Sequence, residues 1–221
     1  MTVRRRILAV VTAVAAFVAP AGIGQADPLV PGQLPSSSVL VAAGFQRDTD
    51  AFTEIDTGRV MYPSACAPAT VDDQYSDPAA HRGREYAVTG FDATGVTGPA
   101  GTVGVDAYAY DPAERSAHAF DQLRSLFDRP CPLDHDSIAW EFVRESPITG
   151  TESPDTPTQA FTVTAGNEVL GSRISVTFSL HDTQIVAAGY GVDQGGVAPD
   201  PDDSADIADR AARAALEALA D

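Results

Sequence analysis

Two cysteines, Cys66 and Cys131, carry the most reactive side chains of this sequence. They are its only cysteines, and their spacing is far from the Cys-x-x-Cys pattern of redox-active pairs and zinc sites. In an oxidising compartment we expect them to form a structural disulfide. Closing a loop of about 65 residues would stabilise the fold by roughly 4 kcal/mol. The alternative is two thiols that stay free or serve another purpose.

Two acidic groups have ligand types that metals use. In Asp134-His135-Asp136, alternate side chains of an extended segment point oppositely, so a metal would need further ligands from the fold. A second group near the C-terminus could hold calcium, but it lacks the glycine turn and the final glutamate of an EF-hand. We interpret the first as a polar loop and the second as a solvated helix start, and we predict no metal and no cofactor. The second group is Asp200, Asp202, Asp203 and Asp206.

The sequence motifs give little support to nucleophilic catalysis. The sequence lacks the Gly-x-Ser-x-Gly elbow of serine hydrolases. Ser172, between Gly171 and Arg173, falls within a predicted strand and suggests a bulge or an outward-facing side chain. We therefore predict no catalytic residue, although a hydrolase whose residues meet only in the fold is the alternative. Its base would be one of four histidines, His81, His118, His135 and His181, of which His118 is expected to face solvent and His181 to lie in a turn.

The first 26 residues have the layout of a secretory signal peptide. Three arginines at positions 4–6 precede an apolar run over 7–18, and small residues including Ala26 come directly before Asp27. We expect cleavage after Ala26 and a secreted, extracellular protein of the cell envelope. An uncleaved anchor is the alternative, but the run is shorter than the roughly 20 residues that span a bilayer. No cysteine stands at the cleavage point, which argues against a lipid anchor.

Composition excludes several partner classes. The chain has 14 basic and 31 acidic residues, a net charge of −17, and it contains no lysine. Nucleic acid and anionic membrane surfaces need clustered positive charge, so neither is an expected partner. After removal of the signal, we predict a Pro- and Ser-rich flexible linker over 27–38 and one domain over 39–221.

Strand patterns dominate the predicted domain. The run over 102–110 alternates, with Val103, Val105, Ala107 and Ala109 on one face. Residues 46–58 are polar and read as a short helix or a loop. The two tyrosines of the alternating run, Tyr108 and Tyr110, either line a cleft or meet water, whereas Trp140 and Phe142 read as core more than as a ligand platform. Further strands are predicted over 84–91, 138–145, 159–164, 168–180 and 184–190.

Two helices complete the prediction. Asp111, Pro112 and Glu114 form a capping pattern, and an apolar stripe follows at helical spacing, made of Ala117, Phe120, Leu123, Leu126 and Phe127. Ser204 is expected to cap a terminal helix that runs to Leu219, with Ile207, Ala211, Ala215, Ala218 and Leu219 on its buried side. Short connections imply antiparallel pairing, so we predict an α+β fold: a twisted antiparallel sheet with helices packed on one face.

The order of these elements, together with three motifs, resembles a known family. The motifs are Pro63-x-x-Cys66 followed by Tyr75, Phe127-x-x-x-Cys131, and Gly-Asn-Glu-Val over 166–169. The chain is similar to the PknH-like extracellular sensor domain of actinobacterial receptor serine/threonine kinases, over about residues 39–220. The resemblance implies a Cys66–Cys131 bridge and a cleft for an unknown ligand, and it supplies no catalytic residue.

The chain departs from that family in specific ways. Its members usually carry a tryptophan where Phe127 stands, and a second cysteine pair in the C-terminal strands. The kinase and its membrane helix are not in this sequence. What carries over is a stand-alone, secreted, non-catalytic sensor-type domain that binds an unknown small molecule or cell-envelope component. The alternatives are the hydrolase above and an acidic envelope protein that binds other proteins.

Overall fold

The fold is known from a computed structural model, which describes residues 34–54, 80–110, 113–127, 139–148, 159–167, 171–181, 183–192 and 199–220. Several sequence predictions lie outside these ranges and stay predictions. They concern the signal peptide, both cysteines and their bridge, and Asp134-His135-Asp136. The predicted linker is described only from residue 34 onward, and there Leu34 is 7% exposed and packs into the core. The folded unit thus includes residues before the expected start at 39.

The described strands form one antiparallel sheet, as predicted. In chain order they are β1 (Phe45–Glu54), β2 (Ala80–Ala93), β3 (Val96–Gly98), β4 (Gly101–Ala109), β5 (Ala139–Glu145), β6 (Gln159–Asn167), β7 (Ser172–His181) and β8 (Gln184–Val192). In space the order is β1-β2-β4-β8-β7-β6-β5, and β3 pairs with β2. Strands β4 and β8, which are far apart in the sequence, are neighbours in the sheet.

Among the described residues, three helices accompany the sheet: α1 (Ser37–Ala42), α2 (Ala113–Phe127) and α3 (Pro201–Ala220). The prediction that helices cover one face is wrong. In β8, Val186 and Ala188 pack in the cluster that contains α3, whereas Ile185 and Ala187 pack in the cluster that contains α2. Neighbouring residues of a strand point to opposite faces. The two long helices therefore cover opposite faces, named below the α3 face and the α2 face.

The physical reason lies in the strands themselves. The run Ile185–Tyr190 is buried on both sides rather than alternating between buried and exposed residues. A strand that is apolar on both faces needs cover on both faces. The predicted face of β4 is confirmed, since Val103, Val105 and Ala107 are fully buried, yet Tyr108 on the other side is 1% exposed.

The α2 face holds an aromatic core. Phe161 of β6 is its centre, with ring centroids 5.3 Å from Phe120 and 5.8 Å from Phe127 of α2, and 5.2 Å from Phe178 of β7. The predicted stripe of α2 holds for Phe120, Leu123 and Phe127. It is wrong for Ala117, which is exposed, because this end of the helix buries Ser116 and Ala119 instead.

Two further local predictions are corrected. Polar residues 46–54 form most of β1 instead of a helix or loop, because pairing with β2 along an edge strand outweighs their weak strand preference. Helix α3 begins before Ser204: the carboxylate of Asp200 accepts a hydrogen bond from the backbone N–H of Asp202 at 3.0 Å, with Pro201 at the first helical position. Asp200 is therefore the N-cap.

Candidate functional site

Asp209 is a residue of α3, and its buried carboxylate faces the sheet. Its side chain is 5% exposed. One oxygen, Oδ1, accepts hydrogen bonds from the hydroxyls of Thr162 at 2.6 Å, Thr177 at 2.7 Å and Ser146 at 2.7 Å. These groups come from β6, β7 and the segment after β5. We call Asp209 and these three hydroxyls, with Arg144, the Asp209 cluster.

Arg144 of β5 supplies the counter-charge. Its Nη2 donates to Oδ2 of Asp209 at 2.9 Å and also pairs with Asp206 one turn earlier on α3. Burial acts to lower the pKa of Arg144, but the interactions with Asp206 and Asp209 outweigh it and raise the pKa above its usual value. The guanidinium therefore stays charged and binds two turns of α3 to the edge strand.

A second chain of hydroxyls continues beside this cluster. Ser175 of β7 donates to Ser204 of α3 at 2.8 Å, so the 2.7 Å contact between Thr164 and Ser175 has Thr164 as the donor. All three side chains are fully buried. Arg173 donates to the carbonyl of Pro199, just before the N-cap of α3. We call the Asp209 cluster, together with Thr164, Ser175 and Ser204, the polar seam.

The local sequence explains why hydroxyls gather on this face. In β6, Thr162 and Thr164 alternate with Phe161 and Val163. In β7, Ser175, Thr177 and Ser179 alternate with Val176 and Phe178. The aromatic and aliphatic members enter the α2 face, so the register of the sheet places Thr162, Thr164, Ser175 and Thr177 on the α3 face. This part of the α3 face is polar, and α3 meets it with serine, aspartate and small alanines.

Sequence reasoning missed the polar seam. It interpreted the acidic group at 200–206 as a solvated helix start. This is correct for the exposed Asp202 and for Asp200 as a cap, but Asp206 pairs with Arg144. The available signal was Asp209 itself, which falls on the apolar side of α3 between Ile207 and Ala211. Among the described residues, no group of three or more potential ligands could hold a metal ion.

The other predicted site residues are scattered. His81 occupies a position of β2 opposite Tyr108, His118 is exposed on α2, and His181 ends β7 opposite Gln184. Ser172 begins β7, opposite Asn167. The structure does not bring these residues into the polar seam.

Two of the four aromatic candidates are core residues. Tyr108 and Tyr110 are 1% and 6% exposed within the α2-face cluster, so neither meets water. Burial raises the pKa of Tyr110 to about 12, with Arg115 opposing the change. Trp140 and Phe142 lie in β5 on either side of an irregularity in its pairing with β6.

Known proteins offer a structural similarity and no sequence match. No protein-family profile and no curated protein matches the chain. Among solved structures, the chain is similar to the extracellular domain of PknH from Mycobacterium tuberculosis, with a TM-score of 0.43 and 13% identity. The match covers 85% of this chain and 93% of that chain. Within the described part of the chain, no helix is long and apolar enough to cross a membrane.

Proposed function

We propose that this chain is an exported binding domain of the sensor type, without catalytic activity, which recognises a small molecule or a component of the cell envelope. The structural observation behind the non-catalytic part of the proposal is the bonding of the polar seam. Three hydroxyls donate hydrogen bonds to Oδ1 of Asp209, and the guanidinium of Arg144 donates to Oδ2. These polar groups join a helix to a sheet.

That bonding pattern also bears on the hydrolase alternative. A nucleophilic hydroxyl needs a base that accepts its proton and space for a substrate carbonyl. In the polar seam, Thr162 and Thr177 donate hydrogen bonds to the carboxylate of Asp209, which is also paired with Arg144. That carboxylate already accepts these hydrogen bonds and the ion pair with Arg144, so the geometry favours docking over catalysis.

The compartment and the sensor type are supported by the sequence. The N-terminal 26 residues have the pattern of an export signal, and the cysteine frame with the order of elements resembles extracellular sensor domains. A net charge of −17 disfavours anionic partners and leaves neutral or cationic ligands. The Cys66–Cys131 bridge belongs to this proposal.

The test is a thermal-shift screen of the mature chain against soluble envelope fragments, both neutral and cationic oligosaccharides. We expect at least one class to raise the melting temperature with saturable concentration dependence, because a ligand that binds only the native state stabilises it. Each hit is then incubated with the protein and analysed by chromatography. Conversion of a hit to a smaller product would contradict the absence of catalysis, and a flat screen would contradict ligand binding.

A further inference from the structure

Strand β5 forms one end of the sheet, and its outer edge offers backbone groups for a further strand. Within the described part of the chain, β5 pairs with β6 on one side and no strand lies on its other side. The backbone N–H of Ser146 donates to the carbonyl of Ala160, in the direction of β6, at 3.0 Å. Bonding directions alternate along a regular antiparallel pair, so Arg144 also bonds towards β6. The N–H and C=O groups of Val143 and Glu145 therefore point outward.

Ion pairs connect this edge to both long helices. On the α3 face, Arg144 binds Asp206 and the buried Asp209. On the α2 face, Glu145 binds Arg124 of α2. These contacts fix the position of β5, and a strand that is already extended loses little conformational entropy when another strand is added to it. The outer edge of β5 is thus preorganised for pairing.

The side chains at the outward positions define what a partner must carry. Val143 is 36% exposed and Glu145 is 65% exposed. They stand two residues apart, so both lie on the α2 face of the strand. Further carboxylates lie beside the other face, where Asp206 is 49% exposed and Asp202, one turn earlier on α3, is also exposed. Cross-strand pairs prefer apolar next to apolar and opposite charges next to each other, so the matching strand carries an apolar residue opposite Val143 and a basic residue opposite Glu145.

We propose that the outer edge of β5 is a docking site for an extended basic segment of another protein, which adds to the sheet as a further strand. Backbone hydrogen bonds to Val143 and Glu145 provide the affinity, and an apolar-x-basic pattern of side chains provides the specificity. A second copy of this chain fits less well, because each copy has a net charge of −17 and would bring the same carboxylates to the edge. This site adds a protein partner and is independent of the ligand proposed above.

The test uses the mature chain and two blocked, labelled peptides, with binding measured by fluorescence anisotropy. In each peptide valine alternates with a charged residue on one strand face, either arginine or glutamate, and threonine fills the other face. We expect saturable binding of the arginine peptide, with a Kd at least tenfold lower than that of the glutamate peptide. Val143→Pro removes an outward N–H and no bond to β6, so it should weaken binding at least tenfold. Val41→Ala, at an exposed valine of α1, is the control and should leave the Kd unchanged.

A charge exchange keeps the test decisive if circular dichroism shows that the proline variant is unfolded. The pair of Glu145 with Arg124 is exposed to solvent, so Glu145→Arg should leave the domain folded. This variant should prefer the glutamate peptide. The proposal is overturned if the natural chain does not bind the arginine peptide, if a backbone N-methylated arginine peptide binds equally well, or if the preference for arginine survives Glu145→Arg. None of these results bears on the oligosaccharide screen, so the two proposals fail separately.

Discussion

Replacing Asp209 with alanine should be among the most damaging single changes on α3. The variant removes the acceptor of three hydroxyl donors and one of the two carboxylates that pair with Arg144. Two of those donors, Thr162 and Thr177, are fully buried, and a buried donor left without its acceptor costs about 1–3 kcal/mol, while Arg144 loses the more deeply buried of its two carboxylate partners. We therefore expect Asp209→Ala to lower the free energy of unfolding by about 4 kcal/mol.

The measurement is equilibrium urea unfolding followed by circular dichroism, with Asp121→Ala as the matched control. Asp121 is an exposed aspartate of α2, so its replacement should change the free energy by no more than about 0.5 kcal/mol. A third variant, Asp209→Leu with Thr162→Val and Thr177→Val, removes donors and acceptor together and should recover most of the loss. A cost below about 1 kcal/mol for Asp209→Ala would refute this account of how α3 is held.

Three further predictions concern other parts of the molecule. Asp200→Ala should cost about 1 kcal/mol in urea unfolding through loss of the α3 cap, and an unchanged midpoint would contradict the assignment. Burial raises the pKa of three tyrosines to about 12. Their neutral forms therefore stabilise the fold fully below pH 10, and this contribution is lost as the pH rises towards 12. A spectrophotometric titration that gave all tyrosines ordinary pKa values would contradict this prediction. Those residues are Tyr86, Tyr110 and Tyr190. Intact mass with alkylation should show no free thiol before reduction, and Cys66→Ser should cost roughly 4 kcal/mol; alkylation of the unreduced chain would exclude the bridge.

Much of the backbone was predictable because periodicity reports burial directly. The alternation of β4 and the stripe of α2 predicted the correct elements and most of their buried faces, including Val105 and Phe120. The double-sided burial of Ile185–Tyr190 was also present in the sequence as a continuous apolar run. A continuous apolar run is typical of a strand that is covered on both faces, and it therefore predicts the two long helices on opposite faces.

The polar seam was not predictable in the same way. The threonines and serines of β6 and β7 alternate with apolar residues, and this pattern usually denotes a solvated strand face. Only the sheet register, which joins residues far apart in the chain, shows that Thr162 and Thr177 share one carboxylate acceptor on α3. Such long-range partners depend on tertiary packing, which overrides local preference. Asp209 on an apolar helix face was the one local sign of them.

Native-state hydrogen exchange of α3 tests the central claim most directly. If the helix is held on β5–β7 by the polar seam, its first turns should exchange through a partial opening, with a smaller free energy and a weaker denaturant dependence than the amides of β4 and β8. Exchange of all three elements at one common free energy and one common denaturant slope would show that α3 leaves the sheet only when the whole domain unfolds.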